Sequence, residues 1–198
     1  MTTVDGRHEL DREAERLAYK PPEVRHDKQG DMDSKERIDK AMWNFLKNFN
    51  TQTASYLDAC LHCGMCADAC HFHVRTDDPQ YTPIWKIELF KRTYKRNVGP
   101  FAFFYRLLGL KRKVTIEDLE EWQHLIYDSC TVCGRCSLVC PMGIDIAGLV
   151  SMARHGMFKA GLIPHELHEV AKKASETGSP LGITPDKFED RVEWMADE

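Results

Sequence analysis

Eight cysteines, arranged as two copies of one spacing, are the residues of this chain with the clearest potential for chemistry. The first copy runs from Cys60 to Cys70 and the second from Cys130 to Cys140, and both follow the pattern C-x2-C-x2-C-x3-C. Two residues between thiols allow a tight loop to direct three sulfurs at one compact inorganic core, and the run of four is typical of 4Fe-4S ligation. The spacing therefore predicts that all eight cysteines bind iron–sulfur clusters.

The fourth cysteine of each copy lies beyond the core that the first three surround. In bacterial two-cluster ferredoxins, the cysteine at this position ligates the other cluster. We therefore predict two 4Fe-4S clusters with exchanged fourth ligands. The first cluster is assigned to Cys60, Cys63, Cys66 and Cys140, and the second to Cys130, Cys133, Cys136 and Cys70.

Residues next to the cysteines differ between the copies in one respect. Gly64 and Gly134 occupy the same position in both, where a glycine is expected to relieve crowding as the backbone passes a cluster. Pro141 follows the second copy, as in the bacterial pattern, whereas His71 follows the first. We interpret His71 as a change in backbone stiffness and in charge beside a cluster.

Two other kinds of metal site are alternatives to this prediction. Structural zinc also accepts four thiolates, but zinc cysteines usually occur as separated C-x2-C pairs. His62, His71 and His73 raise the question of Rieske-type histidine ligation, yet a full set of cysteines favours a role for them as hydrogen-bond donors or ordinary loop residues. No cysteine remains outside the two sets for a catalytic disulfide.

The composition favours a cytoplasmic protein. The first 34 residues are mostly polar and contain no apolar segment of the secretory type, so disulfides are not expected and the thiols favour metal ligation or redox chemistry. The longest apolar stretch, residues 98–110, is too short to span a bilayer and contains Arg106.

Positive charge is concentrated in residues 86–113, which contain nine Lys or Arg and one Glu although the whole chain has a net charge of -4. The aromatic residues inside this stretch are expected to fill the core between the clusters. A partner-docking face and contact with a membrane interface are the second and third alternatives. Nucleic acid is not expected as a partner, because the aromatic residues form a run and two clusters already account for the fold.

Helical periodicity surrounds both cysteine copies, and no segment alternates with a period of two. Ser34, Thr82–Pro83, Thr115 with Asp118, and Asp145 are predicted helix starts. A further helix is predicted over residues 164–177, closed by Gly178. The helix after Pro83 is expected to have Lys91, Lys95 and Arg96 away from its apolar side. The predicted fold is all-α, with the cysteine loops between helices.

Two cysteine quartets separated by a helical stretch resemble the helical ferredoxin domain of succinate dehydrogenase and fumarate reductase iron–sulfur subunits. They are more similar still to the C subunit of heterodisulfide reductase and its relatives in sulfur-oxidising and sulfate-reducing complexes. The resemblance covers about residues 34–194, and the segment from His165 to the end supports it. No upstream plant-type C-x4-C-x2-C segment is present, which argues against a complete succinate dehydrogenase subunit.

The resemblance implies an electron-transfer subunit with no catalytic site of its own. Electrons would pass through two 4Fe-4S clusters between a flavin-containing A-like subunit and a CCG-domain B-like subunit that acts on disulfides and thiols. Its implied organisation is a polar extension at 1–33, a two-cluster domain at 34–178 and a partner-docking tail at 179–198. His71, Arg135 and the basic stretch are candidates for raising a cluster potential.

Two other functions remain open at this point. One is the iron–sulfur subunit of a membrane-associated, quinone-linked oxidoreductase, which would contact the membrane peripherally. The other, from a different class, is a scaffold in which metal sites hold the helices together without redox chemistry.

Overall fold

A computed structural model describes residues 27–109 and 112–196, and this part of the chain contains helices and no strand. The predicted all-α fold is thereby confirmed. Residues 1–26 of the predicted polar extension lie outside the described residues. The α-helices are α1 (Ser34–Lys47), α2 (Thr51–Ala59), α3 (Met65–Ala69), α4 (His71–Thr76), α5 (Pro83–Asn97), α6 (Ala102–Leu107), α7 (Ile116–Gln123), α8 (Arg135–Leu138), α9 (Ile146–Lys159), α10 (His165–Thr177) and α11 (Pro185–Ala196). A 3-10 turn at Pro79–Tyr81 precedes α5, and a π-helical turn at His124–Asp128 continues α7.

Most helix starts agree with the local sequence signals. Pro83 occupies the first turn of α5, Thr115 and Asp118 form a reciprocal capping box on α7, and the Asp145 carboxylate accepts a hydrogen bond from the amide of Gly148. Helix α10 ends at Gly178 in the left-handed conformation, as predicted. The cap of α1 was predicted one residue too late, because the side chain of Asp33, and not Ser34, accepts the Glu36 amide.

Four helices, α1, α5, α7 and α9, pack together and form the frame between the two cysteine segments. Phe45 of α1 lies at its centre, with no exposed surface, and makes edge-to-face contacts with Phe90 and Trp122 at ring-centroid distances of 5.5 Å. Helix α9 approaches Phe45 at Gly156, where an added Cβ atom would overlap the phenyl ring. The glycine therefore allows α1 and α9 to pack closely.

Residues 27–33 lie against the C-terminal end of α9. Arg37, only 4% exposed, donates hydrogen bonds to the backbone carbonyls of Ala160 and Gly161 and to those of Gln29 and Gly30. Unpaired carbonyls at a helix C-terminus attract positive charge, so the guanidinium joins the segment before α1 to the end of α9.

The aromatic run after α5 does not fill the core, and that prediction is wrong. Phe101, Phe103, Phe104, Leu107 and Leu108 are between 55% and 67% exposed. Helix α6 contacts α5, so it lies at the edge of the frame and not between the cysteine segments. Hydrophobicity alone could not distinguish these two locations. None of the helices in residues 27–109 and 112–196 combines the length with the apolar character that a membrane span requires.

Candidate iron-sulfur centres

Two cavities contain all eight cysteines, four in each. The first cavity is lined by Cys60, Cys63, Cys66 and Cys140. The second cavity is lined by Cys70, Cys130, Cys133 and Cys136. Each cavity thus combines three cysteines of one copy with the fourth cysteine of the other copy, and this is the grouping that the spacing predicted.

Contact between two short helices explains this exchange. Helix α3 contains Cys66 and ends next to Cys70, and helix α8 contains Cys136 and ends shortly before Cys140. The two helices contact each other directly. The fourth cysteine of each copy leaves the C-terminal end of its helix on the side of the opposite loop and lines that loop's cavity. That these groups of four are the cluster ligands stays a prediction.

The two cysteine loops have nearly the same backbone conformation at matching positions, although the side chains at some of these positions differ. His62 and Val132, each just before the second cysteine of its copy, have φ angles of 54° and 55°. Gly64 and Gly134, each just after that cysteine, have φ angles of 84° and 77°. A left-handed conformation is unfavourable for a β-branched residue such as Val132 and costs about 1–2 kcal/mol. The loop shape must therefore be held by its surroundings.

The two glycines are required for their backbone angles. A Cβ atom at Gly64 or Gly134 would have no protein atom within 4 Å, so crowding by protein atoms is not the reason for glycine. Positive φ is the reason, because only glycine adopts it without steric cost. Each glycine caps a short helix, α3 or α8, and turns the chain so that the third cysteine enters its cavity.

Each cavity offers four thiols, which is the donor set that a 4Fe-4S cluster takes. All eight thiols are free of disulfides. In the part of the chain that the structure describes, no three His, Cys, Asp or Glu side chains converge closely enough to hold one metal ion. The first cavity has a volume of about 210 Å³ and the second a volume of about 30 Å³, so the four thiols lie closer around the second cavity's free space.

The cysteine thiols differ in how readily they ionise, even where they line the same cavity. Burial raises the pKa of the Cys136 thiol to about 11, and burial also raises the pKa of Cys66. The amide of Arg135 has the opposite effect and lowers the pKa of the exposed Cys133 thiol. Cys133 therefore ionises more readily than Cys136, and iron must displace the proton from the buried thiol.

Lys86 of α5 lines the second cavity and is only 2% exposed. Its Nζ atom lies 3.6 Å from Cys70 Sγ, donates a hydrogen bond to the backbone carbonyl of Ser129, and sits 5.1 Å from the centre of the Phe72 ring. The indole N–H of Trp122 donates to the Lys86 carbonyl oxygen at 2.8 Å and fixes this turn of the helix.

Lys91 lies on the same helix and serves the first cavity indirectly. It is 6% exposed, so its predicted place away from the apolar side is wrong. Its Nζ atom is 3.0 Å from Nε2 of His62, which lines the first cavity. His62 therefore acts as a hydrogen-bonding residue beside the cysteines. His71 lines the second cavity and packs against the Phe72 ring, with 4.4 Å between ring centroids.

Arg154 of α9 supports the start of the second cysteine loop. Its guanidinium donates to the backbone carbonyls of Ile126 and Cys130, the first at 2.8 Å, and lies 5.2 Å from the centre of the Tyr127 ring. Burial raises the pKa of the Tyr127 hydroxyl, which donates to the Arg154 carbonyl at 2.9 Å. The sequence offered no signal for this contact, since an arginine in the middle of a helix is usually solvated.

The structure combines an all-helical frame with two adjacent cavities, each lined by four cysteines. This is the arrangement expected of a helical domain with two 4Fe-4S-binding loops. The comparison with known families agrees. Residues 59–145 match the family of 4Fe-4S dicluster domains.

Curated relatives identify a more specific group. The chain is 34% identical over 151 residues to the Hdr-like menaquinol oxidoreductase iron-sulfur subunit 2 of Archaeoglobus fulgidus, a match that covers 76% of this chain and 27% of that protein. It is 32% identical over 131 residues to the Hdr-like menaquinol oxidoreductase iron-sulfur subunit of Archaeoglobus profundus, covering 65% of this chain and 23% of that protein. It is 29% identical over 120 residues to the D subunit of the dihydromethanophenazine:CoB--CoM heterodisulfide reductase of Methanosarcina barkeri, covering 60% of this chain and 28% of that protein.

These matches confirm the resemblance to iron–sulfur proteins of the heterodisulfide reductase type. The chain spans about a quarter of the length of these relatives. No solved structure matches it significantly.

Proposed function

We propose that this chain is an electron-transfer subunit of a heterodisulfide-reductase-like complex, in which two 4Fe-4S clusters connect a flavin-containing subunit with a CCG-domain subunit. The observation that carries this proposal is the pair of cavities with exchanged fourth cysteines. When bound, each cluster supplies one-electron redox chemistry. Residues 34–178 would form the two-cluster domain.

The residues of the chain have three tasks in this function. The cysteines hold the clusters, with Cys60, Cys63, Cys66 and Cys140 assigned to the first and Cys130, Cys133, Cys136 and Cys70 to the second. The packed frame of α1, α5, α7 and α9 fixes the two cavities relative to each other. Buried side chains beside the cavities, such as Lys86, set the electrostatic environment of the added electron.

Metal content and spectroscopy test the redox proposal against the scaffold alternative. Anaerobically purified protein should contain about eight irons and eight sulfides per chain and should give a reducible 4Fe-4S electron paramagnetic resonance (EPR) signal. Stoichiometric zinc without iron, or clusters that cannot be reduced, would favour a role for the metal sites as a structural scaffold.

The C-terminal segment supports a docking role for residues 179–198. Helix α11 is amphipathic, but Phe188, Val192, Trp194 and Met195 are between 44% and 63% exposed. Unpaired apolar surface of this kind is typical of an interaction site. Changing Phe188 and Trp194 to glutamate should abolish co-purification with the CCG-domain subunit while iron content stays unchanged. Retained co-purification would rule out this segment as the docking site.

A second candidate function is favoured by the exposed aromatic run of α6. Phe101, Phe103 and Phe104 are exposed beside a basic segment, an arrangement typical of contact with anionic lipid. Two of the relatives are named menaquinol oxidoreductase subunits, and a quinone-linked complex at the membrane would use such a contact. Salt-resistant sedimentation with anionic phospholipid vesicles, lost on changing Phe103 and Phe104 to glutamate, would support it. Absence of sedimentation would refute it.

A further inference from the structure

Helix α5 places two lysines in the interior of the protein, one toward each cavity. Lys86 is 2% exposed and Lys91 is 6% exposed. A buried ammonium group is unfavourable unless hydrogen bonds or opposite charge compensate it. Within residues 27–109 and 112–196, neither lysine forms an ion pair with a carboxylate. Their stabilising partners must therefore be found at the cavities.

The ammonium of Lys86 has three donors and three partners. They are the Ser129 carbonyl, the face of Phe72 and the sulfur of Cys70 at 3.6 Å. The carbonyl and the ring are neutral and compensate the charge only in part. Cys70 becomes an anion when it ligates iron, so the sulfur supplies the missing negative charge only in the loaded protein.

The lysine near the first cavity is separated from the cysteines by the side chain of His62. Lys91 contacts the imidazole of His62 and does not line the cavity, whereas Lys86 contacts the cysteine sulfur directly. Two further cations surround the second cavity. Arg135 lines it, and the guanidinium of Arg154 donates to the carbonyl of Cys130. The electrostatic environments of the two cavities are therefore unequal.

We propose that Lys86 raises the reduction potential of the cluster held by Cys70, Cys130, Cys133 and Cys136 above that of the other cluster, so that the first electron resides at the second cavity. The proposal rests on the proposed two-cluster function. Reduction adds one negative charge to a cluster, and a buried ammonium group in contact with a ligand sulfur stabilises that charge more than a solvated one does. Lys86 acts through Cys70 and is a positioning residue, not a catalytic one.

The test is a redox titration of the anaerobically purified protein, followed by EPR, with Lys86 made neutral. Lys86→Gln removes the charge but keeps a donor for the Ser129 carbonyl, and Lys86→Met removes both. In both variants the equilibrium constant for reducing the second cluster should fall about tenfold or more, which is ~59 mV for a one-electron couple. The first cluster should shift less. A Cys133→Ser variant identifies the signal of the second cluster.

Two matched variants test the specificity of the effect. Lys95→Gln removes a charge from the same helix, but Lys95 lines neither cavity, so both potentials should stay unchanged. Lys91→Gln should shift the first cluster and not the second.

The proposal is overturned if the second cluster keeps its potential in both Lys86 variants, or if Lys95→Gln lowers it equally. It is also overturned if both Lys86 variants lose the second cluster, because Lys86 would then hold the loop and not tune the potential. Failure of the proposed function is distinguishable, since the unaltered protein would then lack iron or a reducible signal.

Discussion

Replacing Cys140 by serine tests whether the two cysteine copies exchange their fourth ligands. Cys140 belongs to the second copy in sequence but lines the cavity of Cys60, Cys63 and Cys66. Serine has nearly the shape of cysteine and keeps the backbone hydrogen bond from residue 140 to the Ser137 carbonyl. The substitution therefore removes one ligand and leaves the loop otherwise intact.

The size of the effect follows from the separation of the two ligand sets. Each cavity is lined by four cysteines and shares none with the other. Loss of one thiolate should damage one cluster and spare the other, so iron should fall from about eight toward about four per chain. Cys70→Ser should cause the same loss of iron from the opposite cavity.

Reference variants within each loop identify which cluster is affected. Cys63 and Cys133 each belong to their own loop in either assignment, so Cys63→Ser and Cys133→Ser provide reference spectra. The EPR spectrum of reduced Cys140→Ser should match that of Cys63→Ser, and Cys70→Ser should match Cys133→Ser. The reverse pairing would refute the exchange and would mean that each run of four cysteines binds its own cluster.

Three further predictions concern the frame and the loops. Gly156→Ala places a methyl group in overlap with the fully buried Phe45 ring, so its cost should lie near the upper end of the about 1–3 kcal/mol that is typical of overpacking. That cost exceeds the roughly 1 kcal/mol that alanine gains over glycine in a helix, so the melting temperature should fall. An unchanged melting temperature would contradict the packing described. Val132→Asn should raise the free energy of unfolding, measured with denaturant, by about 1 kcal/mol, because asparagine tolerates a positive φ angle better than valine. A lower free energy of unfolding with iron retained would show that the φ angle of Val132 carries no strain. Burial alone would raise the pKa of Asp118, but the amide of Thr115 and the guanidinium groups of Arg92 and Arg112 outweigh it and hold that pKa below its usual range. Because the pKa of Asp118 is lower in the folded protein than its value of about 4 in the unfolded chain, the carboxylate contributes its full stabilisation above pH 4 and loses it only at lower pH. The denaturation midpoint of Asp118→Asn should therefore stay below that of the unaltered protein by a constant amount from pH 8 to pH 5. A difference between the two midpoints that shrinks over this range would contradict the assignment.

Local signals in the sequence were sufficient to predict where several helices of the frame begin. The starts at Thr115–Asp118 and Asp145 depend on hydrogen bonds between residues three positions apart, and the structure contains both. The start at Thr82–Pro83 depends on the fixed φ angle of Pro83 and has no side-chain cap. The π-helical turn at His124–Asp128 was not predicted, because it has no distinct spacing of apolar residues.

Burial of charge could not be predicted from the sequence. Helical periodicity assigns a lysine to the solvent side unless something else holds it inside. For Lys86 the partners are Cys70, Phe72 and Ser129, which are distant in sequence and meet only in the folded chain. For Lys91 the partner is His62, whose position depends on a positive φ angle. The exposed position of α6 likewise depends on what packs against the frame.

The exchange of Cys70 and Cys140 between the cavities has a consequence for how the protein is made. Neither set of four cysteines exists until the second loop has been synthesised and α3 has met α8. A nascent or truncated chain that ends before residue 130 presents at most three thiolates at the first cavity and one at the second. If these cysteines are the cluster ligands, neither cluster can acquire its full ligand set until both halves of the chain have folded together.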